Sequence, residues 1–290
     1  MDPVTSQQCA NHPDRVAGVS CQRCEKPICP TCMVQASVGF QCPECAGART
    51  TKVVSGSAAF GNRGDPVATK VLIGINVAAW VLMVVVGGSV SGASGEVFVR
   101  GATWGPAVAS GEWYRLLTGG FLHDGPLHLA MNMFLLWLLG QALEPALGRA
   151  QFVALYFVSL LGGALGVMLL DPAVPTLGAS GAVFGLMGAL TVLQMRAGQN
   201  PWQSGIATLI ALNLVITFMI PNVSIGGHLG GLLAGAGAAF GLSVAARRRG
   251  DGTPRVAVSA RLVLLAIVAG GLVVLAVAAV SRNNFLIVPG

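Results

Sequence analysis

Residues 150–170 read AQFVALYFVSLLGGALGVMLL, a run of 21 residues without a charged side chain. A helix that crosses the hydrocarbon core of a bilayer needs about 20 mostly apolar residues. Working outward from this run, six further apolar stretches lie at approximately 68–87, 127–143, 180–195, 203–220, 227–246 and 262–280. The sequence therefore predicts an all-α polytopic membrane protein.

The overall composition points the same way. Of the 290 residues, 54% are hydrophobic and only 10% are charged, and the mean hydropathy is +0.72. Soluble domains carry about 25% charged residues, so the composition excludes a water-soluble enzyme. The 40 glycines indicate helices that pack closely within the bilayer. Residues 1–14 are polar, so we expect no cleaved signal peptide.

The fourth apolar stretch, 180–195, is short. At about 1.5 Å per residue it covers about 24 Å, which is less than the hydrocarbon core of about 30 Å. We therefore expect one of its ends to lie below the membrane surface.

The distribution of positive charge predicts the orientation. With the first residues in the cytoplasm, 14 of the 17 Lys and Arg residues lie inside, and only Arg100, Arg115 and Arg282 lie outside. Cytoplasmic loops carry such an excess of Lys and Arg. The run Arg247–Arg249 supports this orientation most strongly, and it also suits contact with anionic lipids. We expect a multi-pass protein of the cell membrane with a cytoplasmic N-terminus and an external C-terminus.

The same patterns divide the chain into regions. We expect a cysteine-rich head, a flexible linker, a core of six apolar segments, a basic cytoplasmic loop, a seventh segment and a tail. Their predicted bounds are 1–47, 48–66, 67–246, 247–261, 262–281 and 282–290.

All seven cysteines lie in the head, and together with one histidine they form four pairs, each with a gap of two residues. The pairs are Cys9 and His12, Cys21 and Cys24, Cys29 and Cys32, and Cys42 and Cys45. Eight ligands fit two tetrahedral zinc sites, and four protein ligands at each leave no open position for catalysis. An odd number of cysteines would leave one over in a closed set of disulfides, and the cytoplasm disfavours disulfides. We expect two structural Zn²⁺ ions, with alternate or consecutive pairs sharing each ion.

The charge of the head does not favour nucleic-acid binding. Residues 1–65 carry six Lys and Arg against five Asp and Glu, whereas a nucleic-acid-binding surface is strongly basic. A folded module that binds a protein partner fits this balance better.

Three apolar segments begin with polar groups that could carry chemistry. His128 and Asn132 lie near the start of the second segment, Ser180 starts the fourth, and His228 starts the sixth. Ionisable groups at membrane depth are costly and therefore mark candidate functional sites. Because these three segments cross the membrane in the same direction, the four groups lie at one side of it. A single such residue more often only packs or forms a hydrogen bond between helices.

The surroundings of the serine favour a nucleophile. Ser180 lies in the sequence Gly178-Ala-Ser-Gly181 at a helix start, where backbone N–H groups lack intrahelical acceptors. Small residues recur every fourth position on the fourth and sixth segments, and such faces let helix axes come close. They are Gly181, Gly185 and Ala189 on the fourth segment, and Gly227, Gly231, Gly235 and Ala239 on the sixth.

Four motifs in this order and topology resemble the rhomboid intramembrane serine proteases, and the resemblance covers about residues 67–246. The motifs are Glu112-Trp-Tyr-Arg115, His123-x4-His128-x3-Asn132, Gly178-Ala-Ser-Gly181 and Gly227-His-Leu-Gly-Gly231. The resemblance implies a six-helix rhomboid core, with the seventh segment as a six-plus-one arrangement. The head in turn resembles a B-box-like, cross-braced zinc finger. That likeness implies one ion on Cys9, His12, Cys29 and Cys32 and the other on Cys21, Cys24, Cys42 and Cys45.

The rhomboid resemblance also implies roles for individual residues. Ser180 would be the nucleophile and His228 the general base of a dyad without an acid. The remaining assignments are His128 and Asn132 as oxyanion donors, His123 in support, Phe184 stacked on the base, and Trp113 and Arg115 in a loop that shapes the wall of a water-filled cavity. The implied activity is cleavage of single-pass membrane proteins near the outer membrane face, with no cofactor for the reaction.

Two other functions are compatible with parts of the sequence. A catalytically inactive rhomboid-like relative could act as a binding or quality-control module for membrane proteins, although both Ser180 and His228 are present here. A transporter or proton relay would need paired carboxylates within the helices, and the fourth and sixth segments contain none. The expected partners are transmembrane substrates, membrane lipids and a protein partner of the zinc head.

Overall fold

The computed structural model of the protein describes residues 7–35, 39–47, 65–221, 223–245 and 256–283. Most of the predicted linker and of the basic loop, including Arg247–Arg249, lies outside these residues, as does the tail after residue 283. The chain divides into two compact units, residues 1–62 and residues 63–290.

The first unit is built from short strands around sulfur atoms. Its antiparallel pairs are β1 (Gln8–Cys9) with β2 (His12–Val16), β3 (Val19–Ser20) with β4 (Pro27–Ile28), and β5 (Val34–Gln35) with β6 (Phe40–Gln41). A 3-10 turn at Pro30–Cys32 and the short helix α1 (Pro43–Gly47) complete it. Its buried residues are Ile28 and the cysteines 9, 21, 29, 32 and 42. So small an aliphatic core requires an additional stabilising element.

The second unit is helical, and a helix lies at each of the seven apolar stretches. The long helices are α2 (Val67–Val85), α6 (Gly125–Leu147), α7 (Arg149–Leu170), α8 (Ser180–Arg196), α9 (Ile206–Met219), α10 (Ile225–Ala245) and α11 (Val258–Asn283). Three short helices lie between α2 and α6, namely α3 (Gly95–Gly101), α4 (Gly105–Ala109) and α5 (Arg115–Thr118). A 3-10 turn at Gly119–Phe121 follows α5.

Within the described part of the chain, five helices are long and apolar enough to cross a membrane: α2, α6, α7, α10 and α11. This confirms the prediction of a helical multi-pass membrane protein. Helix α8 has 17 residues. Helix α9, which corresponds to the fifth apolar stretch, has 14 residues and is shorter than the predicted segment 203–220.

Helix α10 packs against both α7 and α8, and glycines make the close approach possible. A methyl group at Gly231 would lie 2.0 Å from the carbonyl oxygen of Gly181, and one at Gly235 would lie 2.1 Å from that of Gly185. No side chain fits in these places, so backbone meets backbone, as the small-residue faces predict. The starts of α8 and α10 are thereby held side by side.

Candidate active site

The starts of helices α8 and α10 bring Ser180 and His228 together. Ser180 is the first residue of α8, and His228 lies in the first turn of α10. The hydroxyl oxygen of Ser180 lies 2.8 Å from Nε2 of His228. The imidazole is buried, with 8% of its residue surface exposed, whereas Ser180 is half-buried. A hydroxyl within hydrogen-bond reach of an imidazole is the geometry of an activated serine nucleophile.

Phe184 fixes one face of the imidazole. It lies one turn after Ser180 on α8, and its ring stacks on that of His228 with centroids 4.1 Å apart and an angle of 14° between the planes. The stack restricts rotation of the imidazole. The structure thus brings together the three residues that the resemblance places at the centre of the site.

The His128 ring lies beside the serine. Gly178 has a φ of +126°, and a methyl group there would lie 3.0 Å from Nε2 of His128 and 3.7 Å from Oγ of Ser180. The backbone N–H of Asp124 donates to Nδ1 of His128 over 3.3 Å. Because a neutral imidazole carries one N–H, its proton then lies on Nε2, the ring nitrogen that faces Gly178. His128 therefore offers a hydrogen-bond donor close to the serine.

Asn132 and His123 surround His128. The side-chain amide of Asn132 is buried and donates one N–H to the carbonyl oxygen of His128 over 3.0 Å. The ring of His123 meets that of His128 edge-on, with centroids 5.2 Å apart. His123 is completely buried. Burial, with a smaller contribution from nearby His128, lowers the pKa of His123 to about 3, so this side chain is neutral at physiological pH.

Trp113 and Arg115, which lie between α2 and α6, differ in burial. The Trp113 side chain is 63% exposed. Arg115 is buried instead, forms an ion pair with Glu112 at 2.7 Å, and donates to the carbonyl oxygens of Val99 and Ala102 over 2.7 and 3.2 Å. Arg115 thus holds the C-terminal end of α3, where free carbonyl groups favour a cation.

The region between α2 and α6 is also joined by backbone hydrogen bonds to the segment that precedes Ser180. Thr103 and Thr176 exchange two backbone hydrogen bonds of 2.9 and 2.8 Å, and Gly105 donates to the carbonyl oxygen of Pro172 over 2.8 Å. These bonds fix the approach of the chain to Ser180.

The sequence around these residues is similar to a known protein family. The model of the family described as Rhomboid domain matches residues 110–245, which include the complete helices α5 to α10. Residues 110–245 are therefore similar to rhomboid domains.

Three relatives are similar to this chain in sequence. Rhomboid protease GluP of Bacillus subtilis is 35% identical over 190 residues, which are 64% of this chain and 37% of the relative. Putative rhomboid protease YdcA of the same organism is 36% identical over 132 residues, 44% of this chain and 66% of the relative. RHOMBOID-like protein 5 of Arabidopsis thaliana is 37% identical over 135 residues, 44% of this chain and 43% of the relative. The chain spans less than two thirds of the length of each of these relatives.

Two further contacts that support His228 were not predicted from the sequence. Ser224 precedes α10, accepts the backbone N–H of Gly227 over 2.9 Å and donates its hydroxyl proton to Asp171 over 3.0 Å. Ser224 therefore caps the helix that carries His228 and ties it to the end of α7. A serine just before a helix is a capping signal that the sequence offers. The second contact joins Thr217 of α9 to Nδ1 of His228 over 2.7 Å, and no local pattern indicates it.

The head holds two groups of metal-ligand atoms. In each group the four ligand atoms lie within 4.8 Å of one another, and the groups combine alternate pairs: Cys9, His12, Cys29 and Cys32 in one, and Cys21, Cys24, Cys42 and Cys45 in the other. A tetrahedral ion with bonds of about 2.3 Å to sulfur places its ligands about 3.8 Å apart. The sulfur atoms of Cys24 and Cys42 are 3.7 Å apart, and Nδ1 of His12 lies 3.6 Å from the sulfur of Cys29. Both donor sets fit a tetrahedral thiolate-binding metal.

Proposed function

We propose that the protein is an intramembrane serine endopeptidase that hydrolyses peptide bonds of single-pass membrane proteins near the outer membrane face. The observation that carries the proposal is the 2.8 Å contact between Ser180 and His228, made across two helices of a rhomboid domain. The printed names of two relatives, which describe a rhomboid protease and a putative one, support the same activity.

The proposed reaction is acyl transfer through the serine. His228 Nε2 accepts the Ser180 proton while the serine oxygen attacks the scissile carbonyl carbon. The C–N bond then breaks, and the imidazolium gives its proton to the leaving amine. Water attacks the resulting acyl-enzyme with His228 again as the base, which releases the carboxylic acid product and regenerates the serine hydroxyl.

The negative charge that develops on the carbonyl oxygen needs preorganised donors, and the loss of one such donor costs about 10²–10³ in kcat. We assign this role to the backbone N–H of Ser180, Nε2–H of His128 and the second amide N–H of Asn132. His123 supports the His128 ring through their edge-on contact. The start of helix α8 adds partial positive charge at the same place.

The proposed membrane arrangement completes the assignment. We infer a six-helix core with α11 as the seventh, six-plus-one helix, a cytoplasmic N-terminus and an external C-terminus. Charge supports this orientation, because 14 of the 17 Lys and Arg residues then lie inside. Helix α8 has 17 residues, too few for a complete crossing at about 1.5 Å each, so Ser180 would lie below the surface in a cavity that admits water from outside.

For the head we propose two structural zinc ions on the two sets of alternate pairs. Bound zinc would supply folding free energy to a unit whose buried interior consists mostly of cysteine side chains, as in other small zinc domains. With four protein ligands at each ion, the metal has no open position and takes no part in the proteolysis. The linker at 48–66 separates the head from the catalytic core.

Labelling with a fluorophosphonate serine probe tests the proposed activity. Purified protein in detergent is compared with Ser180→Ala, His228→Ala and the control Ser243→Ala, whose exposed hydroxyl lies on α10 and donates to the carbonyl oxygen of Phe240. We expect labelling of the wild type and of Ser243→Ala only. Cleavage of a transmembrane reporter should follow the same pattern. Folded wild-type protein that neither labels nor cleaves would overturn the proposal in favour of an inactive membrane-protein-binding relative.

A further inference from the structure

The imidazole of His228 has a hydrogen-bond partner on each nitrogen. Nε2 faces Ser180, and Nδ1 lies 2.7 Å from the hydroxyl oxygen of Thr217 on helix α9. Thr217 is 2% exposed. In proteases with a third catalytic group, a carboxylate occupies the position next to Nδ1. In this chain a neutral hydroxyl occupies it.

The direction of the Thr217 hydrogen bond follows from proton counting. The hydroxyl donates to the carbonyl oxygen of Asn213, one turn earlier on α9, over 2.7 Å. A threonine hydroxyl has a single proton and two acceptor lone pairs. With its proton committed to Asn213, Thr217 can only accept from His228, so the imidazole proton lies on Nδ1.

This tautomer is the one that a general base requires. With its proton on Nδ1, neutral His228 presents the lone pair of Nε2 to the Ser180 hydroxyl. After proton transfer the imidazolium carries N–H groups on both nitrogens, and Thr217 still accepts the one on Nδ1. The opposite tautomer would leave two lone pairs, those of Nδ1 and the Thr217 oxygen, facing each other in a buried place, which is unfavourable.

Thr217 is one of the few residues of α9 that are buried against the rest of the protein. Of the residues of α9, only Ile206 and Thr217 are buried, one at each end, while Leu212, Val215 and Phe218 are exposed. Helices α8, α9 and α10 contain no Asp or Glu. These three helices therefore offer no carboxylate to Nδ1 of His228, and α9 contacts this nitrogen through the Thr217 hydroxyl.

We propose that Thr217 is the positioning residue of the Ser180–His228 dyad, and that its hydroxyl selects the tautomer and orientation of the base in place of a carboxylate. This inference rests on the proposed protease function. Thr217 touches His228 and not the substrate, so its effect falls on the rate of the chemical step rather than on substrate binding.

Two substitutions at Thr217 and one control separate positioning from packing. Thr217→Val keeps the shape and removes the acceptor, whereas Thr217→Ser restores it. Thr191→Val is the control, because Thr191 on α8 makes the same bond to the carbonyl four residues earlier, over 2.9 Å to Met187, away from His228. With a transmembrane reporter we expect Thr217→Val to lower kcat about 10- to 100-fold with little change in KM, the size of one lost buried hydrogen bond. Thr217→Ser and Thr191→Val should stay within about threefold of wild type.

Nitrogen chemical shifts of histidine-labelled protein give a readout that does not depend on activity. The His228 signals are identified by their absence from His228→Gln. We expect the proton on Nδ1 in the wild type and in Thr217→Ser, and a mixture of both tautomers in Thr217→Val.

The outcomes distinguish this inference from the proposed function. If Ser180 does not label in the wild type, the protease proposal fails, and the tautomer measurement still decides the role of Thr217. If Ser180 labels but Thr217→Val keeps the wild-type kcat and tautomer, the positioning role is wrong. Equal loss of kcat in Thr217→Val, Thr217→Ser and Thr191→Val would also overturn it, because packing alone would then explain the effect.

Discussion

The rings of Phe184 and His228 lie nearly parallel, with centroids 4.1 Å apart and 14° between their planes. Phe184 is one turn from Ser180 on α8, so the helix that carries the serine also supplies the surface against which the imidazole rests. The stack limits rotation of the ring, and the contact at Nδ1 with Thr217 limits its tilt. Together they orient the proposed base, for which helices α8, α9 and α10 supply no carboxylate partner.

The first prediction concerns this stack. An aromatic pair contributes about 0.5–1.5 kcal/mol beyond its buried area, so Phe184→Leu should lower the labelling rate of Ser180 about 2- to 12-fold. Phe184→Tyr should keep most of the wild-type rate. Phe218→Leu is the control, since the Phe218 side chain is 62% exposed on α9. Equal rates for Phe184→Leu and the wild type would show that the stack does not orient the base.

Much of this architecture could be predicted because its signals are local. Each long helix coincides with an apolar stretch, and the small-residue faces of α8 and α10 placed Ser180 and His228 on neighbouring helices. The contact of Thr217 could not be predicted, because a threonine in an apolar helix normally bonds to its own backbone, as Thr191 does. The contacts of Arg115 with α3 could not be predicted either. Arg115 donates to the backbone carbonyl oxygens of Val99 and Ala102. Every residue carries such an oxygen, so the sequence does not indicate which ones Arg115 binds.

The second prediction concerns the glycine contact between α8 and α10. A methyl group at Gly231 would lie 2.0 Å from the carbonyl oxygen of Gly181, so Gly231→Ala must push the helices apart and lengthen the Ser180–His228 contact. We expect a lower melting temperature in detergent and loss of most serine labelling. Gly237→Ala on the same helix is the matched control, since nothing lies within 4 Å of the added methyl group. Wild-type labelling by Gly231→Ala would contradict the backbone contact.

The third prediction is a dependence of stability on pH through His123. Burial lowers the pKa of His123 from 6.5 to about 3, so between these values the unfolded chain binds a proton that the folded protein does not. Stability should therefore fall as the pH falls below about 6.5, by at most about 1.4 kcal/mol per pH unit from this group. His123→Gln should make the melting temperature fall less steeply between pH 7 and pH 4. Equal slopes for the variant and the wild type would exclude His123 as a source of acid sensitivity.

The fourth prediction concerns a buried carboxylate at the start of α2. Glu144 of α6 is 3% exposed and accepts the backbone N–H groups of Ala68 and Thr69, over 2.9 and 2.8 Å, and the Thr69 hydroxyl over 2.7 Å. It thereby satisfies N–H groups that the first turn of a helix leaves free. Glu144→Gln turns an N–H toward these donors and should destabilise the protein by about 1–3 kcal/mol.

A thermal melt in detergent measures this effect, with Glu96→Gln as the control. Glu96 pairs with Arg100 on an exposed face, and such pairs contribute little to stability. Melting temperatures that fall equally in both variants would show that the buried position of Glu144 is not the cause.

The last prediction is that the head and the helical unit act independently of each other. If each group of four ligands holds one zinc ion, Cys21→Ser should lower the zinc content from two ions per chain to one, because it removes a ligand from only one of the two groups. A strong chelator should remove both ions and expose the head to a protease, since a cysteine-lined interior leaves little aliphatic core to hold it folded. Serine labelling of the full chain should persist after chelation, because Ser180 and His228 belong to the other compact unit. Labelling that disappears with the metal while the melting of the helical unit is unchanged would instead make the head part of the catalytic apparatus.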